Sequence, residues 1–410
     1  MTARQFVFAI WCGGVVVCGL VNGPPASAEA PGAPQSPVTA LVSRLDLERY
    51  KATIKGLTQF GDRQQGTDRN RAALDWIEAQ LKSYGCGDTE RISYADSTPA
   101  LQPRHGAAAG PAAEVPRGEV VTGVGGSRLR GFVRPQQPND DPAAQTDPAL
   151  RALNAGAAGS GPREEVYCTK IGARHPDEMY IVGAHMDGRG FGEAVDDDGS
   201  GTALVMEIAR VFSDPDVVTE RSIRFALWNS EESGLVGSRA YVAQRASLQG
   251  MESPPGSGRY PEPRWLGMIQ HDMMLWDHGM PGPDGAVAAE QRREADINIE
   301  FQSSAKFADQ AMKLAFVFRD ANDTYATDYP ATVGPHMSNT DSTAFMNHVA
   351  AISVRENERG MQIGAGSNPH YHQATDRFSS YSDKDFLLGL NAAQTTLAAV
   401  AQLAGARPNK

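Results

Sequence analysis

Apolar positions along this chain switch repeatedly between two periods. From Thr67 to Tyr84 neither glycine nor proline interrupts, and Leu74, Ile77 and Leu81 recur at helical spacing, which predicts an amphipathic helix between Gly66 and Gly85. Arg91–Tyr94 reads as a short strand, followed later by strands at Glu165–Ile171 and Met179–His185. Gly201–Phe212 reads as a helix with Ala203, Leu204, Ile208, Val211 and Phe212 on one side. Ser222–Trp228 is then a strand, Leu235–Ala246 a helix and Trp265–His271 a strand. Helices follow near Lys306–Phe318 and Ser342–Asn347, then a strand at Ala350–Val354. A last helix runs from about Ser382, with Asp385 at the capping-box position, to Leu403. This alternation predicts an α/β fold: a mixed, largely parallel central sheet flanked by helices on both faces. In such sheets, sites gather at the carboxyl ends of strands.

Composition narrows the classes. A 41% hydrophobic fraction over 410 residues is enough for a sizeable core, which excludes wholesale disorder. With 38 basic against 49 acidic residues, net −11, no nucleic-acid partner is expected. Residues 1–28 read as a signal peptide: Arg4, an apolar run from Phe6 to Val21, then Ala26-Ser27-Ala28. The mature chain is therefore expected to be exported, to the periplasm or the medium. No other segment reads as apolar enough to span a bilayer, so stable membrane insertion after signal cleavage is not expected. Residues 29–37 read as a flexible leader, and 38–410 as one domain. From about 97 to 161 the composition turns to Ala, Gly, Pro and Gln, which reads as an insertion. Cleavage would remove Cys12 and Cys18, leaving Cys86 and Cys168, compatible with a disulfide or with two buried thiols.

Acids and histidines fall where the strand-end rule puts them. His185-Met186-Asp187 ends one strand, and Asp196-Asp197-Asp198-Gly199-Ser200-Gly201 precedes a helix. Glu231-Glu232 follows Ser222–Trp228, Asp272 follows Trp265–His271, and His370-Tyr371-His372 comes late, before Asp376. Singly, each has an ordinary explanation as a solvated turn or a helix-start acid. Five such loops in order along one α/β chain point to a metal site. Imidazole plus carboxylate without thiolate suits zinc, with manganese and cobalt as alternatives. Two histidines and three acids exceed one tetrahedral ion, so two ions about 3.5–4 Å apart sharing a carboxylate use the set economically. Asp187 lies two residues beyond His185, on the same side of an extended segment, where its carboxylate can accept the other ring N–H. Neither G-x-S-x-G nor H-E-x-x-H occurs, which argues against a serine hydrolase and a thermolysin-like endopeptidase.

The run AHMD, VDDDGSGTA, NSEESGL, QHDMM, YHQATD resembles the zinc exopeptidase family of bacterial secreted leucyl aminopeptidases and glutamate carboxypeptidases, from about Leu45 to the C-terminus outside the insertion. The resemblance implies a phosphorylase/hydrolase-like zinc exopeptidase fold, two zinc ions per chain and peptide substrates, cleaved at the N-terminal residue. By this resemblance Asp196 is the bridging carboxylate, His185 and Asp272 complete one metal, and Glu232 and His372 the other. Glu231 is then the general base, Tyr371 assists the oxyanion, and the Asp196–Asp197 peptide is cis. Asp341 matches a family Asp near the site, although Ser342 stands where a His is usual. The resemblance also makes the strands beside Cys86 and Cys168 neighbours, which favours the disulfide. Rival activities on the same fold are a glutamate-type carboxypeptidase, for which Arg189 and Arg355 are candidate carboxylate binders, and a single-zinc glutaminyl cyclase.

Overall fold

The computed structural model describes residues 36–95, 138–278, 297–335, 337, 339–356 and 368–409. Its strands are β1 (Glu90–Tyr94), β2 (Arg163–Lys170), β3 (His175–His185), β4 (Val217–Val218), β5 (Arg221–Trp228), β6 (Arg264–His271), β7 (Ile297–Phe301), β8 (Ala331–Gly334), β9 (Ala351–Glu356) and β10 (Arg407–Pro408). Eight of them form one sheet in the order β1-β2-β5-β3-β6-β9-β7-β8. The central four, β5-β3-β6-β9, are parallel, while β1, β2 and β7 bring antiparallel pairings to its flanks. The helices are α1 (Pro37–Val42), α2 (Leu47–Thr58), α3 (Asp68–Ser83), α4 (Pro148–Asn154), α5 (Gly201–Ser213), α6 (Val236–Arg245), α7 (Ala308–Tyr325), α8 (Ser342–Phe345) and α9 (Asp383–Ala404).

Strand periodicity divides the interior into two cores. On β3, Val182 and Ala184 join Leu57, Ile77, Leu204, Phe318 and Leu397, which come from α2, α3, α5, α7 and α9. Met179 and Ile181 point the other way, to Tyr241 of α6, Phe345 of α8, Trp228 and Trp265. Side chains of successive strand residues leave on opposite faces, so a strand buried on both sides reads as a continuous apolar run. The mixed, largely parallel sheet with helices on both faces is the fold.

The pattern located most elements to within a few residues. It did not register α1, α2, α4, β4, β7, β8 or β10, and it ended α7 at Phe318 rather than Tyr325. β7 and β8 are only five and four residues long, and Asn298, Glu300 and Thr332 break their apolar pattern. β7 nonetheless pairs with β9 and extends the sheet past it. α9 is long and apolar enough to cross a membrane by length and composition, but it is packed in the first core and 78% of its most apolar window is buried. Here the expectation that no further segment has that character is corrected: core helices and membrane spans share it.

Residues 1–35 and 96–137, where the expected signal and most of the expected insertion fall, lie outside the described residues. At the boundary, Ser36 caps α1, so helix begins at Pro37, the last residue assigned to the leader. Residues 138–161 carry α4, capped by Asp147, and Asn154 at its end bonds Asp62 N at 3.0 Å and the Gly192 carbonyl at 2.8 Å. Cys86 and Cys168 form a disulfide between the approach to β1 and its neighbour β2. Closing 82 residues of chain corresponds to about 4–5 kcal/mol in the chain-entropy model.

Candidate metal centre

The strand ends deliver the loops to one place. His185 is the last residue of β3, Asp272 follows β6, and Glu231 and Glu232 follow β5 after Asn229-Ser230. His372 arrives from the loop ahead of α9. Four of these loops contain a non-glycine residue at positive φ: Ala194 (48°), Ser230 (62°), Met273 (60°) and His372 (54°). Such conformations cost on the order of 1–3 kcal/mol each, and they cluster where surrounding structure holds functional side chains in place.

The three consecutive aspartates separate completely. Asp196 spends its oxygens on packing: Oδ1 accepts from the amides of Met274 and Leu275 at 2.9 and 3.0 Å, and Oδ2 from the Asn368 amide at 2.6 Å. Asp198 accepts the amides of Gly201, Met273 and His185 at 2.9, 3.2 and 3.1 Å. Asp197 turns to two imidazoles instead. Its Oδ1 lies 3.2 Å from His185 Nε2, and its Oδ2 lies 2.8 Å from His372 Nε2. The expected position of Asp196 between the two histidines is therefore corrected to Asp197. The cis peptide moves with it, to Asp197–Asp198. Asp197 and Asp198 both leave helical φ/ψ, so the register of carboxylates cannot follow a helix repeat.

Two groups of donors result. Around His185 Nε2 lie Asp197 Oδ1, Asp272 Oδ1 at 3.8 Å and Asp198 Oδ2 at 3.9 Å. Around His372 Nε2 lie Asp197 Oδ2 and Glu232 Oε1, the latter at 2.9 Å. His185, Asp198 and Asp272 form one set with ligand atoms close enough to hold an ion; Asp197, Glu232 and His372 form another. Asp198 is the weakest donor of these, because its oxygens already serve three amides.

The donors suit a cation. Glu232 Oε1 is buried and, among the described residues, has no partner besides the His372 ring nitrogen 2.9 Å away, so its desolvation is compensated only by a proton or a cation at that point. Burial lowers the basicity of His372, but the Glu232 and Asp197 carboxylates outweigh it and push the imidazole up to about 10. His185 moves in the same direction, with Asp198, Asp187, Asp197 and Asp272 prevailing over burial. The cluster thus demands positive charge, which protons supply to the bare imidazoles and a dication would supply to neutral ones. Burial, reinforced by Glu232, Asp341 and Asp272, holds the Glu231 carboxyl well above the usual carboxylate range. Burial and the Asp197 charge bring Glu232 up to about 7.

Asp187 is beside the cluster in a different capacity from the one expected. His185 Nδ1 lies 2.9 Å from its main-chain carbonyl and 3.7 Å from its carboxylate. The carboxylate accepts the amides of Glu231 and Glu232 at 3.1 and 3.3 Å, so it shapes the turn that carries both glutamates. The Tyr371 ring stacks on the His372 ring, with centroids 3.8 Å apart. Asp341 is buried and accepts from Gln270 Nε2 at 3.3 Å, while Ser342 pairs with Ser353. Arg355 is buried 3.8 Å from Asp272, and Arg189 pairs with Asp140 at 3.0 Å.

Sequence reading missed the side chains that join these loops. Asp376 accepts the amides of Asp196 and Asp197 at 3.0 and 3.3 Å, which fastens the His372 loop to the aspartate turn. The Asn368 bond to Asp196 fastens it again. Asp376 closes the YHQATD run but received no role from the sequence, and Asn368 carries no local pattern that could have disclosed it.

Fold and site define a class: an α/β protein with a carboxylate–imidazole cluster at the carboxyl ends of its parallel strands. Residues 166–397, more than half of the chain, match the model of peptidase family M28, and the chain belongs to that family. An aminopeptidase of Pseudomonas aeruginosa is 33% identical over 135 residues, 32% of this chain and 24% of that protein. Carboxypeptidase Q of Xenopus laevis is 32% identical over 71 residues, 17% of this chain and 15% of that one. The chain thus matches only a quarter or less of the length of these relatives. Among solved structures, an aminopeptidase from Aneurinibacillus sp. strain AM-1 superposes with a TM-score of 0.56 at 17% identity, covering 91% of this chain and 97% of that one. A zinc aminopeptidase from Bacillus subtilis gives 0.56 at 14% identity, covering 88% and 95%. A glutaminyl cyclase of Bacteroides thetaiotaomicron gives 0.53 at 13% identity, covering 87% and 97%. These likenesses show the fold.

Proposed function

We propose that this chain is a two-zinc exopeptidase that removes N-terminal residues from peptides. One observation carries the reading: the Asp197 carboxylate stands between two imidazoles, one oxygen 3.2 Å from His185 and the other 2.8 Å from His372. His185 and Asp272 would hold one ion, Glu232 and His372 the other, and Asp197 both. Bound zinc supplies a Lewis acid for the scissile carbonyl and acidifies a water toward neutrality. The chain supplies the rest. A Glu231 carboxylate oxygen takes the proton of the attacking water and returns it to the nitrogen of the departing amine; a carboxyl that burial holds above the usual carboxylate range suits both transfers. The Tyr371 hydroxyl donates to the oxyanion. Asp187 keeps Glu231 and Glu232 in their turn through their amides. The acidic net charge favours an ammonium-bearing substrate end over a carboxylate one. Export of the mature chain is part of the same reading, supported by the pattern of residues 1–28 and by the Cys86–Cys168 disulfide.

Aminoacyl-anilides should be hydrolysed, their N-acetylated counterparts should not, and a chelator should abolish the activity. Release of C-terminal residues alone would favour the carboxypeptidase. One zinc per chain together with cyclisation of N-terminal Gln would favour the cyclase.

A further inference from the structure

We infer that Arg63, far from the metal-site motifs in sequence, is a positioning residue that sets the spacing of the site loops; the inference rests on the two-zinc reading. The Arg63 side chain is fully buried, at 0% exposure, and its backbone adopts φ 52°. Its guanidinium donates to main-chain carbonyls. Nε bonds Met186 O at 2.8 Å, Nη1 bonds Glu193 O at 2.8 Å and Gly61 O at 3.3 Å, and Nη2 bonds Ala194 O at 2.7 Å.

The identity of these carbonyls matters. Met186 lies between His185 and Asp187, whose own carbonyl faces the His185 ring. Ala194, at positive φ, opens the turn that aims Asp197. One planar fork therefore spans the loop holding the first imidazole and the turn holding the shared carboxylate. The reach continues through the backbone: Arg63 O accepts from Asn70 Nδ2 at 2.8 Å. Asn70 and Asn229 exchange two amide bonds, at 3.1 and 2.9 Å. Asn229 immediately precedes Ser230-Glu231-Glu232. Arg63 thus joins three of the loops that bring in the metal donors and the base.

A guanidinium is suited to this and an ammonium is not. Its rigid five-donor fork can serve several carbonyls in one plane, whereas lysine offers a compact charge on a flexible stem. Loss of the fork would leave buried carbonyls unsatisfied. Groups that orient metal ligands commonly change metal affinity about 10–100-fold when removed.

The full chain should be compared with its Arg63→Lys and Arg63→Met variants for zinc affinity by chelator competition, for kcat and KM at saturating zinc, and for thermal stability. Arg224→Lys provides a destabilisation control, because Arg224 is a buried cation paired with Glu262, four residues down β5 from Trp228. The Arg63 variants should lose about 10–100-fold in zinc affinity and lower kcat with KM little changed, Met more than Lys. The Arg224 variant should lose stability but keep zinc affinity and kcat. Arg63 variants that melt early yet bind zinc and turn over like wild type would overturn the inference while leaving the two-zinc reading intact. A wild-type protein that does not bind two zinc ions would remove that reading and the inference with it. Should neither Arg63 variant fold, Asn70→Ala removes the bonds to the Arg63 carbonyl and to Asn229 while leaving the guanidinium and its partners in place. It should weaken zinc binding, and unaltered binding would overturn the proposal.

Discussion

Asp197→Asn should empty both metal positions, whereas Asp196→Asn should leave two ions in place. The contrast follows from what each carboxylate touches. Asp197 presents one oxygen to each imidazole, at 3.2 and 2.8 Å, and an amide can present only one oxygen of reduced charge. Losing several kcal/mol of charge stabilisation at the reacting carbonyl corresponds to a fall of about 10³-fold or more in turnover. Excess zinc should restore little, because the shared donor serves both positions. Asp196 instead accepts from Met274, Leu275 and Asn368. Its Asn variant replaces one of those acceptors by a donor, which should lower thermal stability and loosen the His372 loop. Zinc content by elemental analysis separates the two outcomes. Retention of two ions by Asp197→Asn and their loss from Asp196→Asn would restore Asp196 to the shared position.

The second large effect is expected at the adjacent glutamates. Glu231→Gln keeps shape and volume but removes the proton acceptor, so turnover should fall by at least ~10²-fold with both ions still bound. Glu232→Gln removes the carboxylate 2.9 Å from His372 Nε2, so one ion should leave more readily and activity should return in part under excess zinc. The positive φ of Ser230 and the Asp187 carboxylate beneath both amides give the two side chains different directions from one turn. Zinc content measured beside kcat decides between them. A Glu231→Gln protein that loses zinc while Glu232→Gln keeps it would exchange the two roles.

Much of this was legible because it is local. Strands β2, β3, β5, β6 and β9 run six residues or more and each carries an apolar stretch, and α3, α5 and α9 are long enough to show their period. The donor loops stand out because Asp, Glu and His at strand ends are chemically conspicuous. Short β7 and β8, with polar residues among apolar ones, offer neither cue. The Asp187 expectation named the right neighbour for His185 and the wrong group: an alternating side-chain rule has nothing to say about a main-chain carbonyl.

What the sequence determined by itself is the chemistry and its neighbourhood: an α/β sheet, five donor-bearing loops, imidazole and carboxylate without thiolate. Only the tertiary structure decided which aspartate of Asp196-Asp197-Asp198 lies between the histidines. No period distinguishes three identical neighbours. Their directions depend on a left-handed Ala194, a non-helical turn, and anchors contributed by Asn368 and Asp376 from some 170–180 residues away. Arg63 escaped for the same reason. Its partners Met186 and Ala194 are 123 and 131 residues distant, and it binds their carbonyls, which every residue possesses and no sequence pattern marks.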